Sequence, residues 1–205
     1  MQIAICGIST NVGKSFASAS LCHIFGYDYF KLIQAGKQRD LKFVKKFLDH
    51  SKVYPDGIFL KTPKSPHIGR GIEKLNYDGL EIKLPKSQNL IIELAGGICS
   101  PIDDKSTNLD FIKLHKLSNL LVYREYLGSI NHAILSLNVL LELDFLGLII
   151  SGAYEAKNAE FLKSYAKKTF DKELKIAHLP YFNLKNFKEA CAIFENNLKE
   201  AGIFF

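Results

Sequence analysis

Residues 2–15 read Gln2-Ile3-Ala4-Ile5-Cys6-Gly7-Ile8-Ser9-Thr10-Asn11-Val12-Gly13-Lys14-Ser15, an apolar strand that leads through a glycine-bounded loop into a helix. A bound polyphosphate needs inward-pointing N–H groups, a lysine for its charged oxygens and a hydroxyl for Mg²⁺. Gly13, Lys14 and Ser15 supply these groups at a helix N-terminus, where the helix dipole favours anions. The stretch therefore predicts a phosphate-binding loop for a nucleoside triphosphate.

The spacing of this loop departs from the common G-x-x-x-x-G-K-[ST] pattern. Five residues separate Gly7 from Gly13, so Ile8 stands where the first glycine is usual. The alternative is a glycine-rich turn that binds nothing. The strand before the loop and the helix after it favour the phosphate site, because the mechanism requires both.

Composition bounds the fold and the compartment. The chain has 205 residues and is 47% hydrophobic, enough to bury one core, so we predict a single domain over residues 1–205. It shows neither a signal peptide nor an apolar run approaching about 18 residues, which favours a cytoplasmic protein. The four cysteines are scattered without C-x-x-C spacing, so neither a zinc site nor a disulfide framework is expected.

The net charge of +6 comes mostly from lysines spread along amphipathic segments such as residues 42–48. Such segments are typical of solvated helix faces, whereas a nucleic-acid site gathers its charge on one face. We therefore expect neither a nucleic-acid nor a membrane partner, and the positive excess suits small anionic substrates.

Apolar runs alternate with helical patterns along most of the chain. This alternation predicts an α/β fold, a mostly parallel sheet with helices on both faces. The region from Pro55 to Pro85 is the least regular and is expected to form loops and short elements that carry site residues. The predicted strands are Gln2–Cys6, Tyr29–Ile33, Asn89–Leu94, Asn119–Tyr123, Phe145–Ser151 and Leu174–His178, and the predicted helices are Lys14–Phe25, Asp40–Asp49, Thr107–Leu117, Ile130–Leu143, Ala156–Phe170 and Asn186–Ala201.

Four further motifs follow the loop in order. They are Lys31-Leu32-Ile33-Gln34-Ala35-Gly36, Ser65-Pro66-His67, the segment from Glu93-Leu94-Ala95-Gly96-Gly97 to Pro101-Ile102, and Leu127-Gly128-Ser129-Ile130-Asn131-His132. Together with the loop they resemble dethiobiotin synthetase, an enzyme family of biotin biosynthesis with a fold of the P-loop NTPase type. Five motifs in the right order are far more specific than a lone phosphate loop.

The resemblance implies an ATP- and Mg²⁺-dependent cyclo-ligase that acts on 7,8-diaminononanoate and CO₂. One amine forms a carbamate, ATP phosphorylates the carbamate, and the second amine attacks the resulting carbamic-phosphoric anhydride and closes the ureido ring. The family works as a homodimer with the substrate site at the interface. Proteins of this kind contribute mainly positioning and charge neutralisation.

The resemblance also implies the catalytic residues. Lys14 would contact the β- and γ-phosphates, Lys31 would hold the carbamate and the transferred phosphoryl group, and Thr10 would lie near the substrate amine. A lysine at a strand end is commonly only a solvated charge, but the motif around Lys31 favours the catalytic role. Family motifs also place Mg²⁺ on Ser15, Asp40 and Glu93.

Two of these metal positions can be weighed from the residues alone. Asp40 opens a predicted helix and could serve as its N-cap as well as a metal ligand. Glu93 ends an apolar strand, where an unpaired carboxylate would be costly to bury, so a cation partner is the better interpretation.

The remaining implied contacts fall into a nucleotide group and a substrate group. The start of the helix after Leu127 could accept an anion through free N–H groups, or could be a plain helix cap. In the family this segment crosses the dimer interface to the substrate carboxylate. The nucleotide group is Asn11, Val12, Gly13, Lys14, Ser15, Phe16, Asp40, Glu93, Leu94, Ala95, Gly96, Ser151 and Pro180, and the substrate group is Thr10, Lys31, Ala35, Gly128, Ser129, Ile130 and Asn131.

Three positions depart from the family pattern. Ala35 replaces a hydroxyl residue, and Leu94 replaces a glycine near the phosphates. Ser151-Gly152 replaces the Asn-Asp pair that reads adenine; an amide can make paired contacts with the base, which serine and glycine cannot make. We therefore expect weak discrimination between bases. The rival interpretations are a partition-type ATPase acting as a nucleotide-switched binding module and another P-loop synthetase.

Overall fold

The structure is a computed structural model that describes residues 1–37 and 40–205. Its helices and strands alternate along most of the chain, as the apolar pattern predicts. In chain order they are β1 (Gln2–Gly7), α1 (Lys14–Phe25), β2 (Asp28–Lys31), β3 (Ile33–Ala35), α2 (Asp40–Lys45), β4 (Ile58–Leu60), α3 (Pro66–Glu73), β5 (Leu90–Glu93), α4 (Asn108–His115), β6 (Ser118–Tyr123), α5 (Ser129–Leu140), β7 (Phe145–Ser151), α6 (Ala156–Phe170), β8 (Ile176–Leu179) and α7 (Phe187–Glu200).

The main sheet has six strands in the order β2-β5-β1-β6-β7-β8, and every neighbouring pair is parallel. All residues of β5 and β6 are buried, so both faces of the sheet are covered. Helix α1 packs on β1 and β5, and α7 packs on β8. The predicted parallel α/β fold is confirmed.

The predicted strand Tyr29–Ile33 is wrong in its extent, because the chain changes sheets at Leu32. Its N–H donates to the carbonyl of Glu93 at 3.0 Å, and its own carbonyl accepts from Ile58 at 3.0 Å. The chain therefore leaves the main sheet at the end of β2, and β3 pairs with β4 in a separate parallel sheet.

The predicted helix Asp40–Asp49 is shorter than expected, because α2 ends at Lys45. The N–H groups of Lys46 and Phe47 donate three residues back, to Phe43 and Val44, both at 3.0 Å. Phe47 is buried against the ring of Phe187, at 4.6 Å between centroids. The packing of Phe47 against Phe187 of α7, a helix distant in sequence, thus determines where this helical segment ends.

The irregular region 55–85 contains two short regular elements, in agreement with the prediction of loops and short elements, although the sequence pattern gave no bounds for them. These are the short strand β4 and the helix α3, which begins with proline at its first position. Among the described residues, no helix combines the length and the apolar character needed to cross a membrane.

Candidate active site

The strand ends that carry the predicted site residues lie side by side. β1, β5 and β2 are consecutive in the sheet, and Lys31 is in register with Glu93 across the β2–β5 pair. Because the strands are parallel, their carboxyl ends meet at one edge, where ligands bind in open α/β sheets.

The phosphate loop between β1 and α1 has the backbone that an anion cradle requires. Gly13 is the N-cap of α1 with φ 98°, and Asn11 has φ 57°. Val12 is buried in the core, while Thr10 and Asn11 are exposed at the rim. Free N–H groups at this helix start can therefore face an anion.

Lys14 is 7% exposed and spans the site. Its ammonium donates to the carbonyls of Ser9 at 2.9 Å and Gly96 at 2.8 Å, so it is held by its own loop and by the loop after β5. Burial, together with the nearby charge of Lys31, lowers the pKa of Lys14 to about 8. A bound polyanion would offset both effects and favour the charged form.

Lys31 lies between two carboxylates. Its ammonium is 2.6 Å from Glu93 Oε1 and 2.7 Å from Asp40 Oδ2. The Ser15 hydroxyl donates to Glu93 Oε1 at 2.9 Å, and the buried Tyr29 hydroxyl donates to Glu93 Oε2 at 2.9 Å. Glu93 is 1% exposed, and the Lys31 ammonium is the cation beside this buried carboxylate.

The charges in this group stabilise one another. Burial acts to lower the pKa of Lys31, but Glu93 and Asp40 outweigh it and raise that pKa above its ordinary value. Burial acts to raise the pKa of Asp40, but Lys31 and a hydrogen bond from Ser15 lower it. The ammonium and the carboxylate therefore remain charged near neutral pH.

The same oxygens form a donor set that suits magnesium. Ser15, Asp40 and Glu93 offer one hydroxyl and two carboxylates, the hard ligands that Mg²⁺ takes beside phosphate and water. Within the described residues no group of three or more His, Cys, Asp or Glu side chains could hold a metal. Nucleotide oxygens or water would have to complete the coordination.

The loop after β5 is fixed by a residue that the motif analysis missed. Asn108, at the start of α4, donates to the carbonyls of Ala95 at 2.7 Å and Gly97 at 2.8 Å. Gly96 lies between them with φ 71° and accepts from Lys14. Leu94, one of the departures from the family pattern, has its side chain fully buried in the core.

The predicted substrate residues do not all gather at this edge. Ala35 ends β3 in the second sheet. Gly128, with φ 94°, caps α5, whose first residues are Ser129, Ile130 and Asn131. Because α5 follows β6, and β6 lies on the other side of β1 from β5, this helix start is separated from Lys31.

Local contacts already occupy part of this helix start. Ser129 is buried and hydrogen bonded to the Tyr123 hydroxyl at 2.7 Å. The Tyr126 hydroxyl lies 2.6 Å from His132 Nδ1. Asn131 is exposed, and Leu127 beside it is fully exposed.

Among the predicted nucleotide residues, Ser151 is the last residue of β7 and Pro180 follows β8. Ser151 is buried against the phosphate loop, since a Cβ at Gly13 would overlap its hydroxyl. Pro180 directly follows β8 and is partly buried. The Phe16 ring lies between Phe43 and Phe182, at centroid distances of 4.7 and 4.8 Å.

Two further residues lie at this end, Arg124 and Tyr181. Arg124 directly follows β6, and its guanidinium donates to the Asn11 carbonyl at 3.3 Å and to the Tyr181 hydroxyl at 3.4 Å. The position of Arg124 immediately after a predicted strand was the one available signal for it. Tyr181 directly follows Pro180, one of the residues of the predicted nucleotide group.

Comparison with known proteins gives close relatives over nearly the whole chain. A family model described as an AAA domain matches residues 1–184. An ATP-dependent dethiobiotin synthetase of Campylobacter jejuni is 45% identical over 202 residues, which cover 98% of this chain and 94% of that protein. The enzyme of the same name from Lawsonia intracellularis is 36% identical over 89% of each chain. That of Christiangramia forsetii is 35% identical over 96% of this chain and 97% of its own.

Solved structures share the fold at much lower sequence identity. A protein described as a plasmid partition protein from Borrelia burgdorferi, bound to AMPPNP, superposes with a TM-score of 0.54 at 11% identity, over 95% of this chain and 98% of its own. The signal recognition particle receptor FtsY of Elizabethkingia anophelis gives a TM-score of 0.50 at 14% identity, over 94% of this chain and 64% of its own. Both likenesses concern the fold alone.

Proposed function

The chain belongs to the dethiobiotin synthetase family, whose members are ATP-dependent ligases, and we propose that it closes the ureido ring of dethiobiotin from 7,8-diaminononanoate, CO₂ and ATP. The observation that carries the proposal is the convergence of Lys14, Lys31 and Glu93 at one sheet edge. These residues belong to three separate sequence motifs of that family. We further propose that it acts in the cytoplasm as a single-domain subunit.

The proposed reaction has three bond-forming steps. One substrate amine attacks CO₂, loses a proton and becomes a carbamate. A carbamate oxygen then attacks the γ-phosphorus of ATP, and the bond to the ADP oxygen breaks. The second amine attacks the carbamate carbon, a C–N bond closes the ring, and phosphate leaves. The charged γ-phosphoryl group moves from ATP to the carbamate, and the ADP oxygen that leaves gains negative charge, so the protein has to supply fixed positive charge at both places.

The two buried lysines suit this task. Lys14 is anchored by the Ser9 and Gly96 carbonyls and would neutralise the β- and γ-phosphate oxygens. Lys31, the last residue of β2, would face the carbamate and the transferred phosphoryl group. Thr10, exposed at the loop rim, would lie near the substrate amine. Holding both reactants between two fixed cations would lower the cost of bringing them together.

Ser15, Asp40 and Glu93 are proposed to hold Mg²⁺, which would supply further neutralisation of phosphate charge. Two of these side chains, Asp40 and Glu93, already contact a cation, the Lys31 ammonium. The donor set therefore fits a metal ion, and the ion would have to compete with Lys31 for these oxygens. Replacement of Lys31 by an uncharged residue would remove that competition.

We propose a homodimer because the predicted substrate residues of one chain lie in two separate places. The start of α5 follows β6, three positions along the sheet from β2 with its Lys31. Ser129 to Asn131 of one subunit would then bind the carboxylate tail of a substrate whose amines lie in the site of the partner subunit. The exposed Leu127 at this start supports burial by a second copy.

The experiment that tests the function measures ADP release with diaminononanoate and bicarbonate, supplied separately and together. A ligase releases ADP only when both are present. The rival, a partition-type ATPase, would hydrolyse ATP without either and respond to DNA or lipid vesicles. Another P-loop synthetase would ignore the diamine and require a different acceptor. ADP release that does not depend on the diamine would refute the proposed function.

A further inference from the structure

A tyrosine of β2, Tyr29, reaches the buried carboxylate of the site from within the core. β2 and β5 run parallel, with Lys31 opposite Glu93 and Tyr29 opposite Ile91. Residues two apart on a strand point to the same face of the sheet, so Tyr29 and Lys31 share a face. Both side chains bond to Glu93, which places the tyrosine one step deeper in the sheet than the lysine.

The two oxygens of the Glu93 carboxylate have different surroundings. Oε1 accepts from the Ser15 hydroxyl at 2.9 Å and from the Lys31 ammonium at 2.6 Å. Oε2 accepts from the hydroxyl of Tyr29 at 2.9 Å, and Tyr29 is fully buried. Ser15 stands in the first turn of α1, directly after the phosphate loop. Oε1 is therefore the oxygen on the side of the phosphate loop, and Oε2 is the oxygen on the side of the core.

The Tyr29 hydroxyl determines which carboxylate oxygen faces the site. An ionised carboxylate can only accept hydrogen bonds, so the one hydroxyl hydrogen of Tyr29 is donated to Oε2. A buried carboxylate oxygen without a donor is costly in free energy. Without the hydroxyl, the Glu93 carboxylate would gain by turning both of its oxygens towards Ser15 and Lys31. The hydrogen bond from Tyr29 therefore holds the carboxylate in one orientation.

We propose that Tyr29 is a positioning residue for the magnesium site: its hydroxyl holds Oε2 of Glu93 in the core, so that Oε1 alone faces the metal ion beside Ser15. The inference rests on the proposed function only in requiring that Mg²⁺ binds there together with ATP. Glu93 then offers the ion one oxygen, which suits the strict octahedral geometry of Mg²⁺. Loss of an outer partner that orients a metal ligand typically costs about 10- to 100-fold in metal affinity.

The test separates the metal contact from the phosphate contact. Binding of ATP is measured by titration calorimetry, once with Mg²⁺ in excess and once in EDTA, on the wild type and on Tyr29→Phe. This variant keeps the ring in the core and removes only the hydroxyl. The affinity for Mg²⁺–ATP should fall by about 10-fold or more, because Glu93 no longer presents Oε1 in a fixed direction. The affinity for ATP in EDTA should not change, because the phosphate loop is intact.

A double-mutant cycle distinguishes positioning of Glu93 from a general effect on the fold. If Tyr29 acts through Glu93, then Tyr29→Phe should cause little further loss of Mg²⁺–ATP affinity in a Glu93→Gln chain, where the carboxylate is already absent. A purely structural role would lower the affinity equally in both backgrounds. Tyr77→Phe is the matched control, because it removes a hydroxyl that donates to the Ile102 carbonyl, also at 2.9 Å. It should leave both affinities unchanged.

Unchanged Mg²⁺–ATP affinity in Tyr29→Phe would overturn the inference. An equal loss in Mg²⁺ and in EDTA would also overturn it, because the hydroxyl would then act through the fold. So would a loss of the same size in the Glu93→Gln chain. None of these titrations contains the diamine, so none bears on ring closure by the wild type, which the ADP-release experiment tests separately.

Discussion

At the scale of single residues, Lys31 and the proposed Mg²⁺ ion compete for the same carboxylate oxygens. Its ammonium is within 2.7 Å of both Asp40 and Glu93, and the same oxygens are the proposed ligands of Mg²⁺. Two cations cannot share these oxygens without repulsion, since unit charges at about 4 Å interact by roughly 4 kcal/mol near a protein surface. With a metal ion held by Asp40 and Glu93, the Lys31 ammonium would be free to face the carbamate.

Replacing Lys31 by Met should have two opposite effects. Ring closure should fall by about 10²–10³, because a charge-stabilising contact is lost, while ATP binding is largely retained. Direct binding of Mn²⁺ without nucleotide should become tighter, because the carboxylates lose their internal cation. Electron paramagnetic resonance of free Mn²⁺ measures the second effect. Lys199→Met, which removes a surface partner of Glu195, is the matched control. Unchanged Mn²⁺ affinity in Lys31→Met would argue against competition.

At the scale of elements, Asp103 ties two irregular segments together. Its carboxylate accepts from the N–H groups of Gly79 at 2.6 Å, Lys105 at 2.8 Å and Ser106 at 2.7 Å. Burial acts to raise the pKa of Asp103, but these three N–H groups outweigh it and lower that pKa. The charged form thus stabilises the loop that leads from the Glu93 motif to α4.

Asp103→Asn should lower the free energy of unfolding by about 2 kcal/mol at pH 7, since hydrogen bonds to a charged acceptor are lost. The Asp103 pKa is lower in the folded than in the unfolded protein, so its contribution is complete at neutral pH. It declines as the pH falls below about 4. Urea unfolding at pH 7 and pH 3 measures the difference. Asp104→Asn, at the exposed partner of Arg70, is the control. A loss that is equal at both pH values would disprove the role of charge.

The sequence was sufficient for elements whose signals are local. The phosphate loop and α1 were predicted with their observed bounds, because the glycine-bounded loop fixes where the helix starts. The end of β2 and the end of α2 were not, because they depend on hydrogen bonds to Ile58 and on the packing of Phe47 against Phe187. Partners so distant in sequence leave no local pattern.

The same distinction applies to the site. Lys14, Lys31 and Glu93 lie inside recognisable motifs, and the structure brings them together. Asn108 acts through contacts with the loop after β5, and it stands in none of the motifs. A contact between two separate elements leaves no local pattern in the sequence.

At the scale of the whole molecule, the proposed dimer divides each site between two chains. Mixing Lys31→Met chains with Asn131→Ala chains would then produce hybrids with one doubly damaged site and one intact site. Activity should recover to about a quarter of the wild-type value after full subunit exchange, because half of the dimers are hybrids and each has one working site. Failure to recover, with exchange shown by mass spectrometry of mixed isotopic labels, would indicate a site built within one chain.

We propose that this protein closes a ureido ring with carbon taken from CO₂ and energy taken from ATP. The most direct measurement supplies ¹³C-bicarbonate, diaminononanoate and Mg²⁺–ATP, and follows the product by mass spectrometry and ¹³C spectroscopy while ADP is counted. We expect dethiobiotin labelled at the ureido carbonyl, with one ADP and one phosphate formed for each ring. ATP hydrolysis without a labelled ring, or a ring formed without ADP, would contradict it.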